Sequence, residues 1–381
     1  MPAVIFGNLS IFLTIEGGVM YKYEHGGDIY SQETTADGKR FVDFSANINP
    51  LGLPLGVKEA VKSALKSCIN YPDAFCRRLT GATAEFLGVQ PEQLFFGNGA
   101  ADVLFRLALA LKPKRALLLA PTFADYEKAL RSVDCSIKYF ELREDEDFVP
   151  GKDLVGKISS RIDLVVICNP NNPTGQLMER LQLERVLQKC RMVGAKLLVD
   201  ECFMDFVAKE KAYSLRDLLA EYPELIILKA FTKTFAMPGI RLGYCLTADE
   251  ELHTRLHQCG QDWSVSILAQ EAGIAALKEK QYLHESFLLV EEERQYLKTQ
   301  LTNLGAKVYG SEANYVFFYL PEPANLVELL REQGYLIRSC ANYHNLGAGY
   351  YRVAVKTRVL NRGLIKAIKE AKKHALFTDI N

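Results

Sequence analysis

The sequence predicts an α/β protein, with a large α/β/α domain built on a mostly parallel sheet and a smaller α+β domain toward the C terminus. From about Gly97 to Leu246, short β-branched or leucine-rich runs alternate with longer amphipathic segments, the pattern of a wound α/β unit. Several of those runs are continuously apolar, as strands covered by helices on both faces are. After a long helical stretch at roughly 267–304 the texture changes to short strands and further helices.

The expected strands are RALLLA (115–120), CSIKYF (135–140), DLVVIC (163–168), KLLVD (196–200), LIILKAF (225–231) and RLGYCLT (241–247). Helices are expected at 101–112, 123–133 and 179–193, where apolar residues recur at spacings of three and four. In the C-terminal part NYVFFYL, a helix at 324–333, YLIRSC, YYRVAVKT and a terminal helix form the second domain. The 381 residues exceed the size at which one core stops growing. Expected boundaries are a loose tail at 1–19, a segment at 20–50 that packs with the small domain, a large domain at 51–262 and a small one at 263–381.

Lys+Arg and Asp+Glu both total 46, so no overall field draws the chain to nucleic acid or to an anionic membrane, and anion binding must be local. The nine cysteines are scattered without a CxxC pair, which predicts reduced thiols in a cytoplasmic protein and no metal site. The opening MPAVIFGNLSIFLTIEGGV has an apolar patch but neither a basic start nor a small-residue cleavage site, so neither export nor membrane insertion is expected. That stretch reads as a translation-start artefact or a tail. EDED at 144–147 reads as a solvated loop, and His253 and His257 in HTRLH as a surface pair lacking a third metal ligand.

Open α/β sheets place ligands at strand ends. GNGAAD (97–102) is a glycine turn feeding a helix, whose first N–H groups suit a phosphate. NPNNPTG (169–175) is a rigid polar loop after an apolar strand. VDECFMDF (199–206) puts Asp200 at the end of a buried strand, where a carboxylate calls for a cationic partner. AFTKTFAMPGIRLGY (230–244) adds Lys233 and Arg241. A phosphate cradle, an amide, a carboxylate and an amine at successive strand ends are the set that holds pyridoxal phosphate (PLP). The Lys233 amine can bond its aldehyde, Asp200 can keep its ring nitrogen protonated, Asn172 can donate to its ring oxygen and Phe123 can cover one ring face.

On NPNNPTG, VDE and TKTFAMPGIRLGY, in that order, residues 21–375 resemble the aspartate-aminotransferase superfamily of PLP enzymes, fold type I. The resemblance implies that Lys233 carries the cofactor, that Asp200 and Asn172 contact its ring, and that Gly99, Ala100, Thr232 and Arg241 bind its phosphate. It also implies that Tyr71, in NYPDAF, reaches the phosphate bound by a second subunit of a homodimer, and that Arg352 grips the substrate α-carboxylate. One departure is Ala230, three residues before the lysine, where relatives usually carry Ser or Thr; a phosphate hydroxyl is lost there unless Thr232 compensates.

Within the superfamily the chain looks like the threonine-phosphate decarboxylases of cobalamin biosynthesis, on EHGGDIY, DFSANINPLG, DECFMDF and LIRSCANYHNLGAGYYRVAVKTR. Histidinol-phosphate aminotransferases, the alternative, typically read NENP where Asn47, Ile48, Asn49 and Pro50 stand here, and usually carry tyrosine at Phe203. The substrate is then a small phosphorylated amino acid, with Arg338 and His25 as the expected second anion site. A PLP-fold protein that binds without turnover is a further alternative. The intact Lys233, Asp200 and Arg241 set argues against it, as do the roughly 20 residues that precede the family pattern, too few for an added DNA-binding domain.

Overall fold

The structure is a computed structural model that describes residues 25–31, 34–35 and 38–378. The tail expected at 1–19 lies outside the described residues. In chain order the strands are Val42–Asp43 (β1), Leu94–Gly97 (β2), Arg115–Ala120 (β3), Ser136–Glu141 (β4), Leu164–Cys168 (β5), Lys196–Asp200 (β6), Leu225–Ala230 (β7), Gly243–Thr247 (β8), Lys307–Tyr309 (β9), Tyr315–Tyr319 (β10), Tyr335–Leu336 (β11), Arg338–Ser339 (β12) and Tyr350–Ala354 (β13).

The continuous apolar runs become the interior of a seven-stranded sheet in the order β2-β8-β7-β6-β5-β3-β4. All pairs are parallel except those of β8, which runs antiparallel to β2 and β7. β5 and β7 are buried at every position, which is why neither alternates with polar residues. Each Ile or Leu so buried contributes roughly 1.5–3 kcal/mol of transfer free energy. The chain winds outward from β3 to β4 on one side and from β5 to β7 on the other. The reversal between β3 and β5 opens the crevice in which such sheets hold ligands.

A second, antiparallel sheet has the order β12-β13-β10-β9. It packs on Leu326–Glu332 and on the long helices Lys280–Asn303 and Arg358–Thr378 around a core that includes Phe318, Tyr351 and Ile368. β1 pairs in parallel with β11, and Phe44 O accepts the Ala354 N–H at 2.8 Å, so the N-terminal segment joins this lobe.

Four local expectations need correction. The strand expected to run through Phe231 stops at Ala230, because 231–234 close a single helical turn that carries Lys233. Arg241 does not open a strand: its φ of 62° puts it in the left-handed region and β8 starts only at Gly243. The stretch 267–304 is two helices, Ile267–Ala276 and Lys280–Asn303. EDED is more than solvated loop. Glu144 accepts from Lys307 Nζ at 2.7 Å, Tyr309 Oη at 2.6 Å and Tyr350 Oη at 2.8 Å, which tethers the loop to the second sheet. β2 has no counterpart among the expected strands, since four residues are too few for periodicity to register.

Candidate active site

A cavity of about 500 Å³ opens at the strand ends and is shared with the second lobe. Each contributing segment enters it for a local reason. β7 ends in the turn 231–234, which points Lys233 inward, and Thr234 O accepts from Asn49 Nδ2 at 2.7 Å on the opposite side. β6 ends in Asp200. β5 runs into the loop that carries Asn172, and Phe123 is the extended residue just before the helix Ala124–Arg131 that follows β3.

The cradle is set by glycine. Gly99 has a φ of 86°, and a Cβ there would lie 2.5 Å from Arg241 Nη2; a Cβ on Gly243 would lie 2.2 Å from Ala100 N. Only bare backbone lets the guanidinium approach the turn. The helix Ala100–Leu111 that follows has no side-chain cap, and Ala100 and Ala101 line the cavity, so its first N–H groups face the space beside Arg241.

Asp200 is buried, but no cationic side chain is its hydrogen-bond partner. It accepts from Tyr126 Oη at 2.6 Å and from Cys202 N at 2.9 Å, and the cation that the sequence called for is absent among the described residues. Burial pushes its carboxyl above the usual range, opposed by those hydrogen bonds. A cationic ring nitrogen in the cavity is what such a carboxylate lacks.

Lys233 has the complementary perturbation. Burial first, then the charges of Arg352 and Arg241, lower its ammonium to about 8, so the neutral, nucleophilic amine is a minority form near physiological pH but far more abundant than for an ordinary lysine. Arg352 is 6% exposed; it donates to Asn172 Oδ1 and, at 2.9 Å, to Ser45 O. Its Nε is buried with no hydrogen-bond partner among the described residues. Because Arg352 only donates, it must meet the Asn172 oxygen, which leaves the Asn172 NH2 as the group available to a ligand.

The remaining expected residues divide by location. Thr232, Phe123, Arg338 and His25 line the cavity. Arg338 Nη2 donates to Asn342 Oδ1 at 2.8 Å, and His25 Nε2 lies 3.0 Å from Asp125 Oδ1. Gly99 sits behind Arg241 in the turn. Tyr71 does not reach this cavity: it is 78% exposed, with its ring packed on Trp263 at 4.6 Å. Ala230 lines the cavity without a hydroxyl, beside Thr232.

Sequence reasoning missed Tyr126, which lies three residues after Phe123 in APTFADYE and meets its ring edge-on with centroids 5.6 Å apart. It also missed Asn47 as a cavity group; its Oδ1 is buried without a partner among the described residues. Glu201, next to Asp200, faces away from the cavity toward Lys229. Its carboxyl is pushed by burial up to about 7, opposed by the Lys229 charge.

An amine, a buried carboxylate, an amide and a phosphate cradle, converging at the switch point of a mostly parallel sheet, define a PLP-binding enzyme of fold type I. The comparisons agree. Residues 39–368 match the family model for aminotransferase class I and II, and the chain belongs to that family, whose cofactor is PLP. It is 34% identical to a threonine-phosphate decarboxylase of Salmonella typhimurium, over 92% of this chain and 97% of that protein. It is 32% identical to a histidinol-phosphate aminotransferase of Nitratidesulfovibrio vulgaris, over 88% and 89%. Among solved structures it resembles the histidinol-phosphate aminotransferase of Clostridium acetobutylicum, with a TM-score of 0.82 at 29% identity, covering 87% of this chain and 99% of that one.

Proposed function

We propose that the chain decarboxylates L-threonine O-3-phosphate to (R)-1-amino-2-propanol O-2-phosphate and CO2, within cobalamin biosynthesis. The observation that carries this reading is the pair Arg338 and Arg352, register partners on β12 and β13 that both line the cavity beside Lys233. One wall with two guanidiniums suits a substrate with two anionic ends, an α-carboxylate and a phosphate. The similarity to the Salmonella typhimurium threonine-phosphate decarboxylase supports it.

When bound, PLP supplies an electron sink for a bond at the substrate Cα. The residues would act around it as follows. The Ala100 turn, Thr232 and Arg241 hold the cofactor phosphate, Asp200 braced by Tyr126 holds its ring nitrogen, and Asn172 donates to its ring oxygen. Arg352 binds the α-carboxylate, and Arg338 with His25 binds the substrate phosphate. Together they would orient the substrate so that, of the bonds at Cα, the one to the carboxylate is the one that breaks. That bond breaks, CO2 leaves, and Lys233 Nζ returns a proton to Cα. No electrons are exchanged with a second substrate, so no oxo-acid acceptor is consumed.

The active unit in this reading is a homodimer, since Tyr71 is exposed outside its own cavity and suited to another subunit's phosphate. All nine cysteines are free, which supports a reducing cytoplasmic setting. No helix among the described residues is long and apolar enough to cross a membrane.

The test is purified protein with PLP and O-phospho-L-threonine, without oxo-acid, followed by mass spectrometry. Sustained formation of aminopropanol phosphate is expected. Turnover only when 2-oxoglutarate and histidinol phosphate are supplied would replace this reading with the aminotransferase.

A further inference from the structure

We propose that Arg106 is a positioning residue that holds two phosphate-facing elements at once: the turn before the helix Ala100–Leu111, and the ledge on which Tyr71 rests. Arg106 lies within that helix, is 4% exposed and does not line the active-site cavity. Toward the turn, its Nε lies 3.3 Å from both carboxylate oxygens of Asp102, and Asp102 Oδ2 accepts the Asn98 N–H at 2.9 Å. Toward the ledge, its Nη1 donates to Cys259 O and its Nη2 to Gln261 O, each at 2.7 Å.

The ledge is shaped to receive this group. Gly260, between the two acceptors, has a φ of 88°, and a Cβ there would lie 3.0 Å from the Arg106 Cζ. Two residues past Gln261, the Trp263 ring packs on Tyr71, centroids 4.6 Å apart. A buried cation is costly unless its donors are met, and a lysine, a point charge, cannot span an acid and two carbonyls on separate segments. One guanidinium therefore sets the distance between the phosphate turn of its own subunit and the tyrosine offered to another.

This inference rests on the reading that the Ala100 turn and Tyr71 bind cofactor phosphate. It is tested on the full-length protein freed of PLP, with two readouts that do not depend on any substrate. One is the Kd for PLP. The other is acrylamide quenching of Trp263, the single tryptophan of the chain. Arg106→Lys is expected to raise the Kd about tenfold, the scale of one charge-assisted hydrogen bond, and to raise the quenching constant about twofold with circular dichroism unchanged. Asp102→Asn, which loosens the arm toward the turn, is expected to raise the Kd while leaving quenching as in the parent.

Should Arg106→Lys fail to fold, Gly260→Ala pushes the same loop off the guanidinium and is expected to move both readouts. An unchanged Kd, or unchanged quenching, in the folded Arg106 or Gly260 variant overturns the proposal. Tyr71→Phe separates it from the reading on which it rests. If that variant binds PLP like the parent while Arg106→Lys still shifts both readouts, the role given to Tyr71 fails and the bridge of Arg106 to the turn and the loop stands.

Discussion

Arg338 and Arg352 stand opposite each other in the register of β12 and β13, so two guanidiniums enter one cavity from neighbouring strands. Like charges opposed across a ladder are unfavourable by themselves. The arrangement makes sense when a dianionic or doubly anionic ligand lies between them. Arg338→Ala is expected to raise KM for phosphothreonine by roughly 10–100-fold, the loss of a charge-assisted contact. Activity on unphosphorylated threonine should hardly change, and an equal loss on both substrates would remove the phosphate role.

Tyr126 braces Asp200 through its hydroxyl at 2.6 Å. Tyr126→Phe keeps the packing and removes one hydrogen bond to a buried charge, a loss of roughly 1.5–3 kcal/mol. The Asp200 carboxyl then rises further and pairs less well with the cofactor ring. Steady-state kinetics should show kcat down about tenfold or more with KM little altered. Unaltered kcat would mean that Cys202 N alone orients the carboxylate.

Lys233 makes the cofactor-free protein pH-sensitive. Its folded ammonium is lowered to about 8, so between that pH and the ordinary lysine value the unfolded chain binds more protons than the folded one. Stability from this group is therefore least below about 8 and recovers as pH rises toward that ordinary value. Lys233→Met should abolish turnover and stabilise the cofactor-free protein at pH 7, with the gain shrinking toward pH 10 in denaturant melts; those two pH values bracket the window roughly. A gain independent of pH would point to packing instead of charge.

Glu201 gives the opposite slope. With its carboxyl raised to about 7, the folded state holds the extra proton between the usual glutamate value and that pH, and stability falls as pH rises through the window. Both Glu201 oxygens are buried and meet no hydrogen-bond donor in good geometry among the described residues, although the nearby Ser214 hydroxyl, like Lys229, favours the charged form. Glu201→Gln should flatten that part of the stability profile and add roughly 1–3 kcal/mol above it. A variant less stable than the parent at every pH would show that the Glu201 charge is needed to balance Lys229.

Glu144 ties the lobes together at the surface. Hydrogen bonds from Lys307, Tyr309 and Tyr350 hold its carboxyl down to about 2, so the tie is complete above the ordinary glutamate range and is lost as pH falls toward that value. Solvent screening keeps the effect small, below about 1 kcal/mol for Glu144→Gln. Because Tyr350 lies two residues from Arg352 on β13, the same variant should raise substrate KM a few-fold. Melting curves that lose no more at neutral pH than in acid would rule the tie out.

That Lys233, Asp200, Asn172 and Gly99 stand at turns and strand ends was legible because each lies in a short stretch whose residue types announce one, while Arg241 was expected to open a strand and instead sits in the turn before it. The buried strands were legible because their apolar runs admit few other structures. Local patterning by itself thus determined the wound sheet and the order of groups along its edge. What it left undecided are contacts between distant segments. Arg352 donates to Ser45, 307 residues away, and Arg106 to Cys259, 153 residues away, while Arg338 meets Arg352 only through the register of two strands. Tyr126 beneath Asp200, the orphaned Glu201 and the tether on Glu144 belong with these. Turn and strand chemistry acts over a few residues and is written in the chain. Burial, hydrogen-bond partners and the resulting pKa values depend on which segments pack together, and only the tertiary structure decided them.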